Sequence, residues 1–246
     1  MIGKLYLVGA GPGDPKLITV KGVEVLKKAD VVIYDRLVPE ELLGYAKKES
    51  ELIYAGKAPG RHFMEQEEIN EKILEECRKG KVVVRLKGGD PYFFGRGEEE
   101  CEFAISHNIP CEVVPGIPSF IAASSYSGIP LTNRRLSSSV SIVTGREAKE
   151  KKKPRVRIEE ISSASDTLVI LMGISNIKEI LKRVSDIRGG DEPCAIITDA
   201  TLPTQKTIVG SIDNVLKRVN KEEIKNPAVI IIGKTVRMRE YLWKKA

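Results

Sequence analysis

The sequence predicts an α/β protein of two α/β domains, with a mostly parallel sheet in the first and a mixed sheet in the second. Three observations point to this class. Short continuous apolar runs, such as Leu5-Tyr6-Leu7-Val8 and Val82-Val83-Val84, alternate with amphipathic stretches. That alternation is the pattern of parallel strands covered on both faces. Each run ends in a loop rich in Gly, Asp or Lys. The alternation breaks at Pro115-Gly116-Ile117-Pro118, and strands then follow one another more closely. The break divides the chain into an N-terminal domain over 1–116 and a C-terminal domain over 117–246.

Leu5 to Val8 forms the first strand and runs into Gly9-Ala10-Gly11-Pro12-Gly13-Asp14-Pro15. Apolar Ile18, Val25, Leu26 and Ala29 predict a helix over 18–29. Val31 to Tyr34 is the second strand and ends at Asp35-Arg36. Pro39 starts a short helix, where its missing N–H is not needed. Leu52 to Tyr54 is the third strand, ending at Gly56-Lys57. Ile69, Ile73 and Cys77 share one face of a helix over 67–79. Val82 to Val84 is the fourth strand. The helix over 98–107 has an acidic first turn, which suits its dipole. Cys111 to Val114 is the fifth strand, and a small-residue helix over 119–127 is stopped by Gly128-Ile129-Pro130. Beyond it, Val140 to Val143, Leu168 to Met172, Cys194 to Ile197, Gln205 to Val209 and Ala228 to Ile232 read as strands. Segment 176–184 and the stretch with Ile212, Val215, Leu216 and Val219 read as helices. The lysine-rich run over 147–157 reads as a mobile surface loop.

With 246 residues, 41% of them hydrophobic, the chain is long enough to bury a sizeable core. A net charge of +6 suits an anionic ligand. Aromatics are only 5% and form no stacking pattern, which argues against a nucleic-acid partner. Cys77, Cys101, Cys111 and Cys194 include no C-x-x-C pair, and the chain has only two histidines. Neither a metal site nor a disulfide scaffold is expected. Cys77 and Cys101 are expected to be buried small hydrophobes. The N-terminus lacks a signal peptide, and no apolar run approaches the roughly 20 residues of a membrane span. A soluble cytoplasmic protein with no membrane partner is expected.

The most informative stretch is Arg85 to Gly97, Arg-Leu-Lys-Gly-Gly-Asp-Pro-Tyr-Phe-Phe-Gly-Arg-Gly. It places four glycines, a proline, an acid and three cations at a strand's C-terminal end. Open α/β sheets bind ligands there, and glycine lets a ligand approach the backbone. The Gly9 to Gly13 loop resembles a dinucleotide fingerprint but fails as one. Asp14 stands where the third glycine of G-x-G-x-x-G is required, and Pro12 has no N–H to offer a pyrophosphate. A cofactor without phosphates fits better.

Seven segments then match one family in order. They are Val8 to Asp14, Val32 to Val38, Arg85 to Gly97, Val114 to Ile117, Tyr126 to Leu131, Leu171 to Gly173 and Asn226 to Gly233. Together they resemble the uroporphyrinogen-III C-methyltransferases of the tetrapyrrole methylase superfamily. The resemblance implies two α/β domains with S-adenosyl-L-methionine (SAM) bound in the cleft between them, and a homodimer. It implies methylation of uroporphyrinogen III at C2 and C7, giving precorrin-2 for sirohaem and cobalamin, with S-adenosyl-L-homocysteine as the other product. By position it assigns Pro12, Gly88, Gly89, Asp90, Phe93, Pro118, Ser119, Met172, Ala200 and Ala228 to SAM. It makes Asp35 the proton acceptor and Lys57 the proton donor. The octacarboxylate substrate gives the basic excess a purpose: Arg36, Arg61, Arg96 and Arg134 are expected to hold carboxylates. Arg85 and Lys87 fall beside the same loops, where Arg85 and Arg96 also brace their own turn. The chain departs from the family pattern at Ile117-Pro118-Ser119-Phe120, Thr132 to Arg135, Thr198 to Thr201 and the lysine-rich loop. Rival readings are a superfamily methylase with another acceptor, a nucleotide-dependent oxidoreductase and a non-catalytic anion-binding module.

Overall fold

The computed structural model describes residues 2–56, 64–146, 155–219 and 224–243. Two compact units make up the chain, Met1–Ser119 and Phe120–Ala246. The first is a five-stranded sheet of β1 (Lys4–Gly9), β2 (Val31–Tyr34), β3 (Glu51–Tyr54), β4 (Val82–Lys87) and β5 (Cys111–Val114), in the order β3-β2-β4-β1-β5. All its pairings are parallel. Parallel strands cannot be joined by hairpins, so helices cross over and cover both faces. These are α1 (Val20–Leu26), α2 (Gln66–Arg78) and α3 (Gly97–Ser106).

Side-chain alternation divides the apolar residues between the two faces. Leu5, Leu7, Val31, Ile33 and Val83 pack with Ile69, Ile73 and Cys77 of α2 and Ala104 of α3. Val8, Val32, Val84 and Leu86 pack on the other face with Val25 and Leu26 of α1. Each fully buried leucine or isoleucine contributes about 1.5–3 kcal/mol. Helix α1 is shorter than the 18–29 expected. Thr19 is its cap, its Oγ1 accepting from the Gly22 N–H at 3.0 Å, and a separate 3-10 turn over Pro15–Leu17 precedes it. Pro39 precedes a 3-10 helix over Glu40–Tyr45.

The second unit carries β6 (Val140–Thr144), β7 (Thr167–Leu171), β8 (Pro193–Thr198), β9 (Lys206–Ser211) and β10 (Ala228–Ile232), in the order β6-β7-β10-β8-β9. Only β6 and β7 run parallel, so the sheet is mixed. It is accompanied by α4 (Ser119–Ser127), α5 (Ile158–Ala164), α6 (Ile177–Arg188), α7 (Ile212–Val219) and α8 (Arg239–Leu242). Helix α5 escaped the sequence reading because seven residues are too few for a clear period, and its core contacts, Ile158 and Ile161, depend on the packed fold.

One cysteine expectation is corrected. Cys101 on α3 and Cys111 on β5 form a disulfide, whereas Cys77 and Cys194 are buried free thiols. Ten residues separate Cys101 and Cys111, and the turn after α3 brings them face to face. Burial pushes the Cys77 thiol up to about 12. Among the described residues, no helix is long and apolar enough to cross a membrane.

Candidate active site

The loops that follow β1, β4 and β5 meet at one edge of the first sheet. Gly11 and Gly89 exchange backbone hydrogen bonds, Gly11 N–H to Gly89 C=O at 3.2 Å and Gly89 N–H to Gly11 C=O at 2.7 Å. This pair brings the Pro12 turn against the β4 loop. A Cβ on Gly9 would lie 2.7 Å from the Gly89 carbonyl oxygen and 2.5 Å from Gly116 Cα, so three backbones touch here. Asp90 fixes the arrangement. Its Oδ1 accepts from Tyr92 N–H at 2.9 Å, and its Oδ2 accepts from Gly116 N–H at 3.0 Å across the strands.

Gly89 differs from Gly9. Its φ of +72° is in the left-handed region, and a Cβ there would meet only Ser119 N at 3.9 Å and Pro118 Cα and Ile117 O at 4.0 Å. The missing side chain leaves a gap bordered by Pro118 and Ser119. The first unit therefore brings together Pro12, Gly88, Gly89, Asp90, Pro118 and Ser119. Phe93 follows on the same loop, its ring 5.0 Å from that of Phe94.

In the second unit, Met172 follows β7, Ala200 follows β8 and Ala228 begins β10. Ala228 pairs with Thr198 and Val229 with Leu171, so all three lie at one edge of that sheet. Met172 is exposed and has a φ of +54°. A non-glycine residue held in the left-handed region marks a position imposed by its surroundings.

Asp35 emerges from β2 beside β4, half-buried with 33% of its side chain exposed. Its Oδ1 accepts from Arg85 Nη2 at 2.6 Å. Gly88 and Leu37 pack closely: a Cβ on Gly88 would meet Leu37 Cβ at 3.0 Å. The Asp35 turn thus adjoins the glycine loop. Lys57 and Arg61 lie outside the described residues.

Arg36 and Arg134 are exposed. Arg96 is exposed and pairs with Glu99 through Nε at 3.0 Å and Nη2 at 2.6 Å. Hydrogen bonding to Glu99 raises the Arg96 pKa, and the same contact lowers that of Glu99. Arg85 and Lys87 are not available to a ligand. They are 3% and 5% exposed, and both point into a buried cluster with Glu100, which is fully buried. Burial lowers the Lys87 pKa, and the neighbouring Arg85 charge adds to this. Burial also opposes the charge on Arg85, but the Glu100 and Asp35 carboxylates outweigh it and raise its pKa. The sequence reading missed Glu100 as part of the site. The available signal was that Arg85 and Lys87 share one face of an otherwise apolar strand and need a buried counter-charge.

Residues 4–216 match the family profile of Tetrapyrrole (Corrin/Porphyrin) Methylases. The chain is 48% identical over 238 residues to a uroporphyrinogen-III C-methyltransferase of Methanocaldococcus jannaschii, covering 96% of this chain and 98% of the relative. It superposes with a TM-score of 0.80 and 39% identity on the Thermus thermophilus uroporphyrin-III C-methyl transferase complexed with S-adenyl homocysteine, covering 96% of this chain and 99% of that one. A cobalt precorrin-4 methyltransferase superposes with a TM-score of 0.84 at 30% identity, covering 95% of each chain. Backbone similarity does not separate these two enzymes, whereas sequence identity favours the former. The chain belongs to the tetrapyrrole (corrin/porphyrin) methylase family, in its uroporphyrinogen-III C-methyltransferase branch.

Proposed function

We propose that this chain is a SAM-dependent C-methyltransferase that methylates uroporphyrinogen III at C2 and C7 to give precorrin-2, which leads to sirohaem and cobalamin. The near-full-length likeness to an enzyme of that name carries the reading. The first unit has features that suit the cofactor: the gap at Gly89 is bordered by Pro118 and Ser119, and Asp90 pins the loops around it. Pro12, Gly88, Gly89, Asp90, Phe93, Pro118 and Ser119 are assigned to SAM, as are Met172, Ala200 and Ala228 of the second unit. When bound, SAM supplies a methyl group already activated by its sulfonium.

The chain's own residues align the reactants and move protons. Holding an electron-rich pyrrole carbon in line with the methyl group removes most of the entropic barrier. Asp35 accepts a proton as the ring reorganises, and Lys57 donates one. Asp35 suits its part because it is half-buried at a strand end and one oxygen is already fixed by Arg85. Among the described residues, none hydrogen-bonds to its Oδ2. Arg36, Arg61, Arg96 and Arg134 hold substrate carboxylates, each able to form two parallel hydrogen bonds. The enzyme works as a cytoplasmic homodimer.

Incubation with SAM and freshly made uroporphyrinogen III should add two methyl groups, read by mass spectrometry. A folded, SAM-binding preparation that adds none would overturn the reading. Asp35→Asn should keep SAM affinity and lose turnover.

A further inference from the structure

Behind Asp35 lies a buried polar cluster that none of the assigned roles uses. Glu100 Oε1 accepts from Arg85 Nε at 3.0 Å, Lys87 Nζ at 2.9 Å and Gln66 Nε2 at 3.2 Å. Its Oε2 accepts from Lys87 Nζ at 3.0 Å. Arg85 directs Nη1 to the Ile33 carbonyl at 3.4 Å and Nη2 to Asp35 Oδ1 at 2.6 Å. All three guanidinium nitrogens therefore have acceptors, and the planar group is held in one orientation. Of the four charged members only Asp35 reaches solvent appreciably. The charges balance, two acids against two cations. Burying three of these charges is expensive, and apolar residues would fill the same volume at lower cost. A retained network of this kind therefore calls for a purpose beyond stability.

We propose that Glu100, on α3, is a positioning residue for the methyl-transfer reaction: it locks Arg85 so that Arg85 fixes the Asp35 carboxylate, while Lys87 balances the remaining charge. The inference rests on the reading of Asp35 as proton acceptor. Among the described residues, the charged partners of Glu100 are Arg85 and Lys87, both on β4. Removal of Glu100 frees Arg85 Nε and lets the guanidinium turn away from Asp35. Burial lowers the Lys87 pKa and Glu100 opposes that effect, its Oε1 and Oε2 lying 2.9 and 3.0 Å from Lys87 Nζ.

The test uses the full chain with SAM and uroporphyrinogen III. Glu100→Gln should lower kcat by about 10- to 100-fold, as expected when a reacting group is displaced, and leave SAM affinity within about twofold. Glu100→Asp, which keeps the charge, should recover part of the loss. In an Asp35→Asn background, Glu100→Gln should change kcat less than about twofold, because residues that act as one unit are not additive. Wild-type kcat in Glu100→Gln overturns the inference. So do multiplicative losses in the double variant, which would assign Glu100 a separate structural role. Full turnover of Asp35→Asn instead removes the reading of Asp35 beneath the inference, and the two failures are thereby told apart. If Glu100→Gln does not fold, Lys87→Met/Glu100→Gln removes the whole buried pair. It should fold and show the same kcat loss, and wild-type kcat in it overturns the inference.

Discussion

At the scale of single residues, neighbouring glycines serve different physical purposes. Gly9 is required by packing, since any Cβ there strikes the backbones of Gly116 and Gly89. Gly89 is required by its positive φ and by the space it leaves open. Gly9→Ala should therefore destabilise the first unit by about 1–3 kcal/mol or more, the cost of forcing an atom into a packed interior. Gly89→Ala should cost about 1–2 kcal/mol, that of an L-residue in the left-handed region. It should also weaken SAM binding, because its Cβ enters the gap beside Pro118 and Ser119. Thermal melts and calorimetry separate the two effects. A Gly89→Ala protein with undiminished SAM affinity would show that the gap is not the ligand's.

At the scale of elements, β4 carries charges at both ends for different reasons. In its C-terminal half, Arg85 and Lys87 are buried against Glu100 of α3. Near its start, Glu76 of α2 is buried among Lys72 at 2.9 Å, Lys79 at 2.8 Å and Lys81 at 2.5 Å. Burial alone would raise the Glu76 pKa, but hydrogen bonds from Lys79, Lys81 and Lys72 outweigh it and hold the group at about 2. A folded-state pKa below the ordinary 4.5 means that the stabilisation is complete above about pH 4.5 and is lost as pH falls toward about 2. The lysines are partly exposed, so water screens the cluster and its contribution is about 1–2 kcal/mol. Denaturant midpoints at pH 7 and pH 3 should show Glu76→Gln losing less stability on acidification than the parent. An equal loss in both proteins would place the acid sensitivity elsewhere.

At the scale of the whole molecule, charge and reaction fit one another. A chain of net charge +6 acting on a substrate with eight carboxylates will bind it partly through screened surface charge. Arg36, Arg96 and Arg134 are exposed, so their attraction falls as the Debye length shrinks from about 10 Å at 0.1 M salt to about 3 Å at 1 M. KM for uroporphyrinogen III should rise several-fold across that range, while kcat changes little because the charges that hold Asp35 in place, Arg85, Lys87 and Glu100, are buried. Steady-state kinetics at fixed pH would check this. A KM indifferent to salt would mean that the exposed arginines do not hold the carboxylates.

Most of the architecture was legible in the chain because its causes are local. Val31 to Tyr34, Val82 to Val84 and Ala228 to Ile232 are continuous apolar runs, and such runs become buried strands wherever turns allow. Glycine, aspartate and proline at their ends marked where the strands give way to tight turns, because backbone conformation is set by the residue itself. The parallel character of the first sheet followed from the helices between its strands. Helix α1 was over-extended because apolar spacing does not reveal that Thr19 caps the chain. The loop motif was legible, but the pairing of its charges was not. Arg85 and Lys87 looked like loop cations, yet their place on an inward face of β4 buries them. The three glutamates opening α3 looked like one dipole-friendly turn, yet Glu99 pairs with Arg96 at the surface and Glu100 is buried against Arg85. Likewise Cys101 and Cys111, ten residues apart, meet only because the chain turns between α3 and β5. The sequence alone determined the strands, the loops and the class of chemistry. Which charge neutralises which was decided by the tertiary structure, because burial and proximity belong to the packed chain and not to any one of its segments.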